Sequence, residues 1–214
     1  PSETSIEELD NFATKAQQRL IFEEFFFFQL GLALRRQSTA RRQKARKVVV
    51  NDWIRKSALS VLPFRLTGGQ RQALKDIVED LQRSQPMNRL LQGDVGSGKT
   101  IVALLAALVV MENGYQVAVM SPTEILTEQH YFNLSRLLEN SRFRAVKLTG
   151  TMTASQRQVA SESVAVGDAD LVVGTHALVQ EGMKFKSLGL VVIDEQHRFG
   201  VIQRATLGGK GVNP

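Results

Sequence analysis

The sequence matches the glycine-rich pattern G-x-x-x-x-G-K-S/T in one stretch, Gly93-Asp94-Val95-Gly96-Ser97-Gly98-Lys99-Thr100. The apolar pair Leu90-Leu91 precedes this stretch, and the almost wholly apolar run 101–111 follows it, so the context predicts a strand, a loop and a buried helix. Glycines let a loop backbone approach phosphate groups, and the N–H groups of the loop and of the helix N-terminus point at the anion. The stretch therefore predicts a phosphate-binding loop.

Two side chains of this loop have specific expected roles. We expect Lys99 to reach the β- and γ-phosphates of a nucleotide and Thr100 to offer its hydroxyl to Mg²⁺. The other residues of the loop would contact phosphate mainly through their backbone. The alternative is an ordinary glycine turn that caps a helix, and the run Gly98-Lys99-Thr100 in this context disfavours it.

Composition narrows the class of protein. The chain has 214 residues, of which 43% are hydrophobic and 22% charged, as is typical of a globular protein with a real core. It contains no cysteine, which excludes disulfides and cysteine metal sites, and its three histidines lack zinc-ligand spacing. We see no secretory signal and no apolar run of membrane-spanning length. No metal beyond a nucleotide-bound ion is expected.

The charge distribution leaves the choice of partner open. A net charge of +6 suits a polyanionic partner, although a modest excess equally serves solubility. Seven basic residues and no acid fall within residues 35–47, whereas residues 1–10 hold four acids and no base. The basic segment 35–47 is either a solvated face or a nucleic-acid contact.

The chain is predicted to divide into two parts. Residues 1–61 are expected to form a helical extension, in which the four phenylalanines 25–28 spread apolar surface over more than one face and so require packing on two sides. The segment 48–61 is interpreted as a short connection, with Trp53 as a packing residue. Residues 62–214 are expected to form the second part.

The start of this second part offers two readings. Thr67 and Gln70 have capping-box spacing, which by itself explains their presence at the start of a helix. Alternatively, the Gln70 amide reads the edge of an adenine while Phe64 packs nearby.

Short apolar strands alternate with helices through the rest of the chain. Strands are predicted at 116–120, 145–148, 171–173 and 190–193, and helices at 124–139 and 154–164. This alternation predicts an α/β fold with a parallel, three-layer sheet, whose ligands bind beyond the carboxyl ends of the strands. Polar stretches follow each of these strands: Ser121-Pro122-Thr123, Thr149-Gly150, Gly174-Thr175-His176 and Asp194-Glu195-Gln196-His197.

Two acids follow the last predicted strand. We expect Asp194 to join Thr100 in holding Mg²⁺, and Glu195 to accept a proton from the attacking water. Lys99, Asp194 and Glu195 are thus the candidate catalytic residues. The alternative, a pair of solvated turn acids, is disfavoured because a complete phosphate loop lies upstream.

Taken together, these stretches resemble a known family. The run Asp194-Glu195-Gln196-His197-Arg198-Phe199-Gly200-Val201, with the phosphate loop, is similar to the first RecA-like motor domain of the RecG family of ATP-dependent DNA translocases. Residues 121–126 match that family's motif Ia, residues 148–150 its Ib region and residues 174–178 its next DNA-facing loop. The resemblance covers roughly residues 15–214.

The resemblance implies a RecA-like phosphate-loop fold with an N-terminal helical extension, and ATP with Mg²⁺ as cofactors. It places Gln70 in a Q motif beside the nucleotide. It implies action on replication forks and Holliday junctions in recombination and repair, in the bacterial cytoplasm at the nucleoid, with no role for a membrane. The residues implied to face the DNA backbone are Ser121, Pro122, Thr123, Thr149, Gly150, Gly174 and Thr175, and those implied to couple nucleotide state to DNA are Gln196, His197 and His176.

The resemblance also implies parts that this sequence does not contain. The family continues into its motif III and a second RecA-like domain with an arginine finger, and a wedge domain precedes the motor. Because the sequence begins at Pro1, we expect it to be a piece of a longer protein. Without the second domain, we expect this piece to hydrolyse ATP slowly and not to translocate. The alternatives are a nucleotide switch or adaptor, an RNA motor, or the motor of a related translocase of transcription-coupled repair or of the primosome.

Overall fold

The computed structural model describes residues 10–12, 14–40, 43–44, 47–179 and 183–195. The chain forms two compact units, residues 1–43 and 44–214. We describe each unit by itself.

The first unit contains helix α1, Lys15–Ala40. The Thr14 hydroxyl accepts a hydrogen bond from the Gln17 N–H (3.2 Å), as expected of a residue that caps a helix N-terminus. The phenylalanines 25–28 are all exposed, at 48–66% of their full surface. The predicted packing on two sides is therefore not found within the described part of the chain. No described helix has both the length and the apolar character needed to cross a bilayer.

The second unit is built on a parallel sheet. Its strands are β1 (Gln116–Met120), β2 (Ala145–Leu148), β3 (Leu171–Gly174) and β4 (Leu188–Ile193), in the spatial order β2-β3-β1-β4. Met120 is level with Gly174 on one side and with Ile193 on the other, and Leu148 is also level with Gly174. All four strands therefore end at one edge of the sheet, and the residues that follow them form a row.

Helices cover both faces of this sheet. They are α2 (Asp52–Ser60), α3 (Gly68–Gln82), α4 (Lys99–Glu112), α5 (Glu124–Leu138) and α6 (Ala154–Val166). Alternate residues of β1 enter different cores: Val117 packs with residues of α4 and α5, whereas Met120 packs with Val164 of α6. The predicted three-layer α/β fold is confirmed.

The second unit begins earlier than the predicted boundary at residue 62. The segment read as a connection forms α2, whose Ile54 and Ala58 are buried in the core because apolar residues on one face of a short helix can pack against α4. Ser57 donates a hydrogen bond to Glu112 at the end of α4 (2.5 Å). Trp53 is 59% exposed, with the Arg142 guanidinium 5.9 Å from its ring centroid, so it is a surface residue and not a core one.

The prediction of a strand before the phosphate loop is also wrong. Residues 86–94 form neither helix nor strand, and Leu90 is 70% exposed. A run of two leucines supplies little apolar surface for packing against the sheet. The neighbouring Arg89 donates to Asp80 of α3 (2.6 Å), which ties this segment to a helix instead.

Candidate nucleotide-binding site

The phosphate loop has backbone geometry that favours glycine. Gly96 and Gly98 have φ values of 81° and 83°, in the left-handed region that side chains disfavour. Gly98 is the N-cap of α4, and a Cβ atom there would overlap the Gln70 amide. The loop therefore forms a bare backbone cradle in front of a helix N-terminus.

The Lys99 side chain is hydrogen-bonded to the backbone of this loop. Its ammonium group donates to the carbonyl oxygens of Gly93 (2.8 Å) and Asp94 (2.7 Å). An ammonium group has three donors, so one donor remains beyond these two bonds. Thr100 is exposed in the first turn of α4, where its hydroxyl is accessible to a ligand.

Gln70 is a cap that also contacts the phosphate loop. Its carbonyl oxygen accepts from the Thr67 N–H (3.0 Å), which completes the predicted capping box, and its amide nitrogen donates to the Ser97 carbonyl (2.9 Å). The cap is confirmed. The alternative role, reading adenine with Phe64 nearby, stays a prediction; Phe64 is 49% exposed.

Asp194 follows β4, and both of its carboxylate oxygens are hydrogen-bonded. Oδ1 accepts from the Glu195 N–H (3.0 Å), and Oδ2 lies 2.7 Å from Nε2 of His130 on α5. A carboxylate can only accept, so Nε2 carries the proton of this bond. The backbone is fixed as well, because the Asp194 N–H donates to the Met120 carbonyl (2.9 Å).

These contacts keep Asp194 ionised at neutral pH. The hydrogen bond from His130 is the main cause that lowers the pKa of Asp194 from its ordinary value, and burial opposes it. The positive charge of Lys99 also lowers this pKa. The charge of the loop lysine thus favours the ionised form of the carboxylate that follows β4.

His130 was missed by the sequence interpretation, which used it only to argue against a zinc site. It lies three residues after the buried Thr127 and four before the buried Leu134, so one face of α5 carries all three toward the sheet. That spacing is a signal in the sequence, but it does not reveal that the histidine meets Asp194.

The residues predicted to face DNA differ in exposure. Ser121, Thr149 and Thr175 are buried, with exposed fractions of 0%, 1% and 2%. They are buried because each follows a strand of a sheet that is covered by helices. Gly174 is buried too, whereas Pro122 is half-buried and Thr123 and Gly150 are exposed. The side chains of these three residues are therefore not accessible in this structure, and their contact with DNA stays a prediction.

The loop after β2 is held by two neighbouring helices. The Thr151 N–H donates to Glu124 of α5 (3.0 Å), and Arg157 of α6 donates to the carbonyls of Thr149 (3.3 Å) and Gly150 (3.2 Å). His176 is exposed at the start of a short 3-10 helix, His176–Val179. Gln196 and His197 lie outside the described residues.

The residues present fit a nucleotide with Mg²⁺. The glycine loop offers backbone donors at a helix N-terminus, Lys99 supplies a cation, and Thr100 and Asp194 supply oxygen donors of the kind Mg²⁺ prefers. Glu195, next to Asp194, has a positive φ of 47°, which is uncommon for a residue other than glycine.

Comparison with known proteins agrees with this geometry. The model of the DEAD/DEAH box helicase family matches residues 67–208. The ATP-dependent DNA helicase RecG of Aquifex aeolicus (strain VF5) is 50% identical over 216 residues, covering 100% of this chain and 27% of that protein. The ATP-dependent DNA helicase RecG of Synechocystis sp. (strain ATCC 27184 / PCC 6803 / Kazusa) is 45% identical, covering 93% of this chain and 24% of that protein.

Solved structures give the same result. The structure of RecG bound to a three-way DNA junction matches with a TM-score of 0.77 and 42% identity, over 86% of this chain and 25% of that chain. A hypothetical ATP-dependent RNA helicase from Sulfolobus tokodaii has a TM-score of 0.53 at 20% identity, over 75% of this chain and 47% of that chain, and supports the fold alone.

The chain thus spans about a quarter of the length of the RecG proteins it matches. The family model covers more than half of the chain and includes the phosphate loop and Asp194. The chain belongs to the DEAD/DEAH box helicase family.

Proposed function

We propose that this chain is the ATP-binding motor domain of an ATP-dependent helicase that acts on branched DNA at replication forks and junctions. The observation that carries the proposal is the glycine loop at the N-terminus of α4, with Lys99 hydrogen-bonded to its backbone, in a chain 50% identical to a RecG helicase. The nucleotide would be ATP with Mg²⁺, in keeping with the names of the relatives.

Each residue of the site has a role that follows from its position. The backbone of residues 93–98 binds phosphate oxygens, and Lys99 turns from the loop carbonyls to the phosphates. Thr100 and Asp194 would hold Mg²⁺, which would supply charge neutralisation at the phosphates. Glu195 accepts the proton of the attacking water.

DNA is proposed as the partner. One support is the likeness to RecG bound to a three-way junction. Another is the exposure of Thr123 and Gly150 at the strand-end edge, where backbone and hydroxyl donors can meet phosphates. The wedge domain and the second RecA-like domain belong to this proposal as further parts of the same protein.

The first test is nucleotide binding by the chain and by Lys99→Ala, measured with a fluorescent ATP analogue. We expect Lys99→Ala to lower the affinity by roughly ten- to a hundred-fold, because a charge-assisted hydrogen bond is worth about 1.5–3 kcal/mol. Lys75→Ala is the matched control, since Lys75 is an exposed lysine of α3. Equal affinity in the wild-type chain and Lys99→Ala would overturn the phosphate-loop assignment.

The second test separates a DNA motor from a nucleotide switch. A three-way DNA junction and an RNA duplex are titrated at increasing salt, because phosphate contacts release counterions and binding then falls steeply with salt. We expect salt-dependent junction binding that exceeds RNA binding. Nucleotide binding without any DNA binding would favour the switch.

A further inference from the structure

We propose that His130 is a positioning residue for Asp194, and that α5 thereby connects the metal-binding carboxylate to the loop after β2 in one rigid element. This inference rests on the proposed function of the nucleotide site. It assigns a role to a residue outside the phosphate loop and outside the acidic pair 194–195.

The first observation is that the Asp194 carboxylate is held at both oxygens. His130 Nε2 lies 2.7 Å from Oδ2, and the Glu195 N–H donates to Oδ1 at 3.0 Å. These two bonds fix the plane of the carboxylate. Each oxygen still has a lone pair for another partner, because a carboxylate has about four acceptor positions.

His130 is itself held in place by packing. Its side chain is 15% exposed, and Thr127 and Leu134 on the same face of α5 are 0% and 3% exposed. The Thr127 hydroxyl donates to the Thr123 carbonyl (2.9 Å), which fixes the start of this face. An imidazole on a packed helix face positions a partner more precisely than an exposed side chain does.

The N-terminus of the same helix holds the loop after β2. Glu124 Oε1 accepts from the Thr151 N–H at 3.0 Å. Glu124 and His130 are six residues apart, or about 9 Å along a helix axis. A shift of this loop on binding DNA would therefore move α5, and through His130 it would move Asp194.

A purely structural role for His130 makes a different prediction. If the histidine only satisfies a buried carboxylate, its removal lowers stability and leaves the response to Mg²⁺ unchanged. A positioning role affects the response to Mg²⁺ itself, because partners that orient a metal ligand typically change metal affinity by about 10- to 100-fold.

The experiment measures the affinity of the wild-type chain and of each variant for a fluorescent ATP analogue, once with Mg²⁺ and once with EDTA. The ratio of these two affinities is then compared between the variants. We expect His130→Ala to reduce the gain from Mg²⁺ by about tenfold. His130→Gln should retain most of it, because the amide nitrogen of glutamine reaches about as far as Nε2. The control is Glu128→Gln, which removes an exposed ion pair with Lys147 from the same helix and should leave the ratio unchanged.

A second measurement needs no nucleotide. The imidazole ¹⁵N resonances of His130 are recorded in the nucleotide-free chain and in Asp194→Asn, and we expect the Nε2 resonance to shift. Thermal unfolding by circular dichroism establishes that every variant is folded.

The outcomes separate the two proposals. If the wild-type chain gains affinity from Mg²⁺ and His130→Ala gains as much, the positioning role is wrong while the nucleotide site stands. An unchanged Nε2 resonance in Asp194→Asn also overturns it. If the wild-type chain binds no nucleotide, the proposed function fails and this inference fails with it.

Discussion

The phosphate loop and the residues at the strand-end edge of the sheet differ in what their side chains can reach. At the first, Thr100 is exposed and Lys99 lies at the surface of a bare glycine loop. At the second, Ser121, Thr149 and Thr175 have almost no exposed surface. A sequence motif identifies a backbone cradle well, but it does not show which hydroxyls at a strand end face outward.

The largest expected effect concerns Glu195, the acid next to Asp194. In the full-length protein, Glu195→Gln should leave nucleotide affinity unchanged and slow ATP hydrolysis by at least about a hundred-fold, because a general base contributes about 10²- to 10⁴-fold. Steady-state turnover and equilibrium titration measure the two quantities. Undiminished turnover would show that Glu195 is not the general base.

The loop backbone should be the next most sensitive feature. Gly98→Ala places a side chain at a φ of 83°, where the left-handed conformation costs about 1–2 kcal/mol, and displaces Gln70 from Ser97. We expect nucleotide affinity to fall roughly tenfold. Gly69→Ala is the control, because no atom lies within 4 Å of an added Cβ there. Similar affinities in both variants would contradict the tight-loop interpretation.

At the strand-end edge, substitution of a buried threonine should have little effect, whereas substitution of an exposed threonine that caps a helix should lower stability. The Thr175 hydroxyl has no hydrogen-bond partner among the described residues, so Thr175→Val should leave DNA affinity and stability nearly unchanged. Thr123→Ala removes the hydroxyl that accepts from the Leu126 N–H at the start of α5, at a cost of about 1 kcal/mol in the free energy of unfolding. Chemical denaturation and junction titration measure both. A large loss of DNA binding in Thr175→Val would show that this hydroxyl becomes exposed.

The smallest expected effect lies away from both of these regions and depends on pH. The hydrogen bond from Arg89, followed by the charges around it, holds the pKa of Asp80 below its ordinary value although burial opposes this shift. A lowered folded-state pKa stabilises the protein above the unfolded value, about 3.9, and that contribution is lost as the pH falls through the folded-state pKa. Arg89→Ala should therefore be less stable than the wild type at pH 7, and the difference should disappear in acid. Denaturation at several pH values tests this, with Arg55→Ala as an exposed control.

The sequence predicted most of the fold because its elements are marked locally. The strands 116–120 and 145–148 have the predicted bounds, and the capping box at Thr67 is present. The predictions that failed depend on distant partners. Residues 52–60 form a helix that packs on α4, and residues 86–94 lack the expected strand, with Arg89 bound to α3.

By itself, the sequence determined the phosphate loop, the parallel α/β alternation and the place of Asp194 after the last strand. These follow from glycine conformation and from apolar periodicity, which act within a few residues. Only the tertiary structure placed His130 against Asp194, 64 residues away along the chain, and covered the strand-end hydroxyls. Burial and long-range hydrogen bonds depend on how helices pack on the sheet, and local sequence patterns do not encode those pairings.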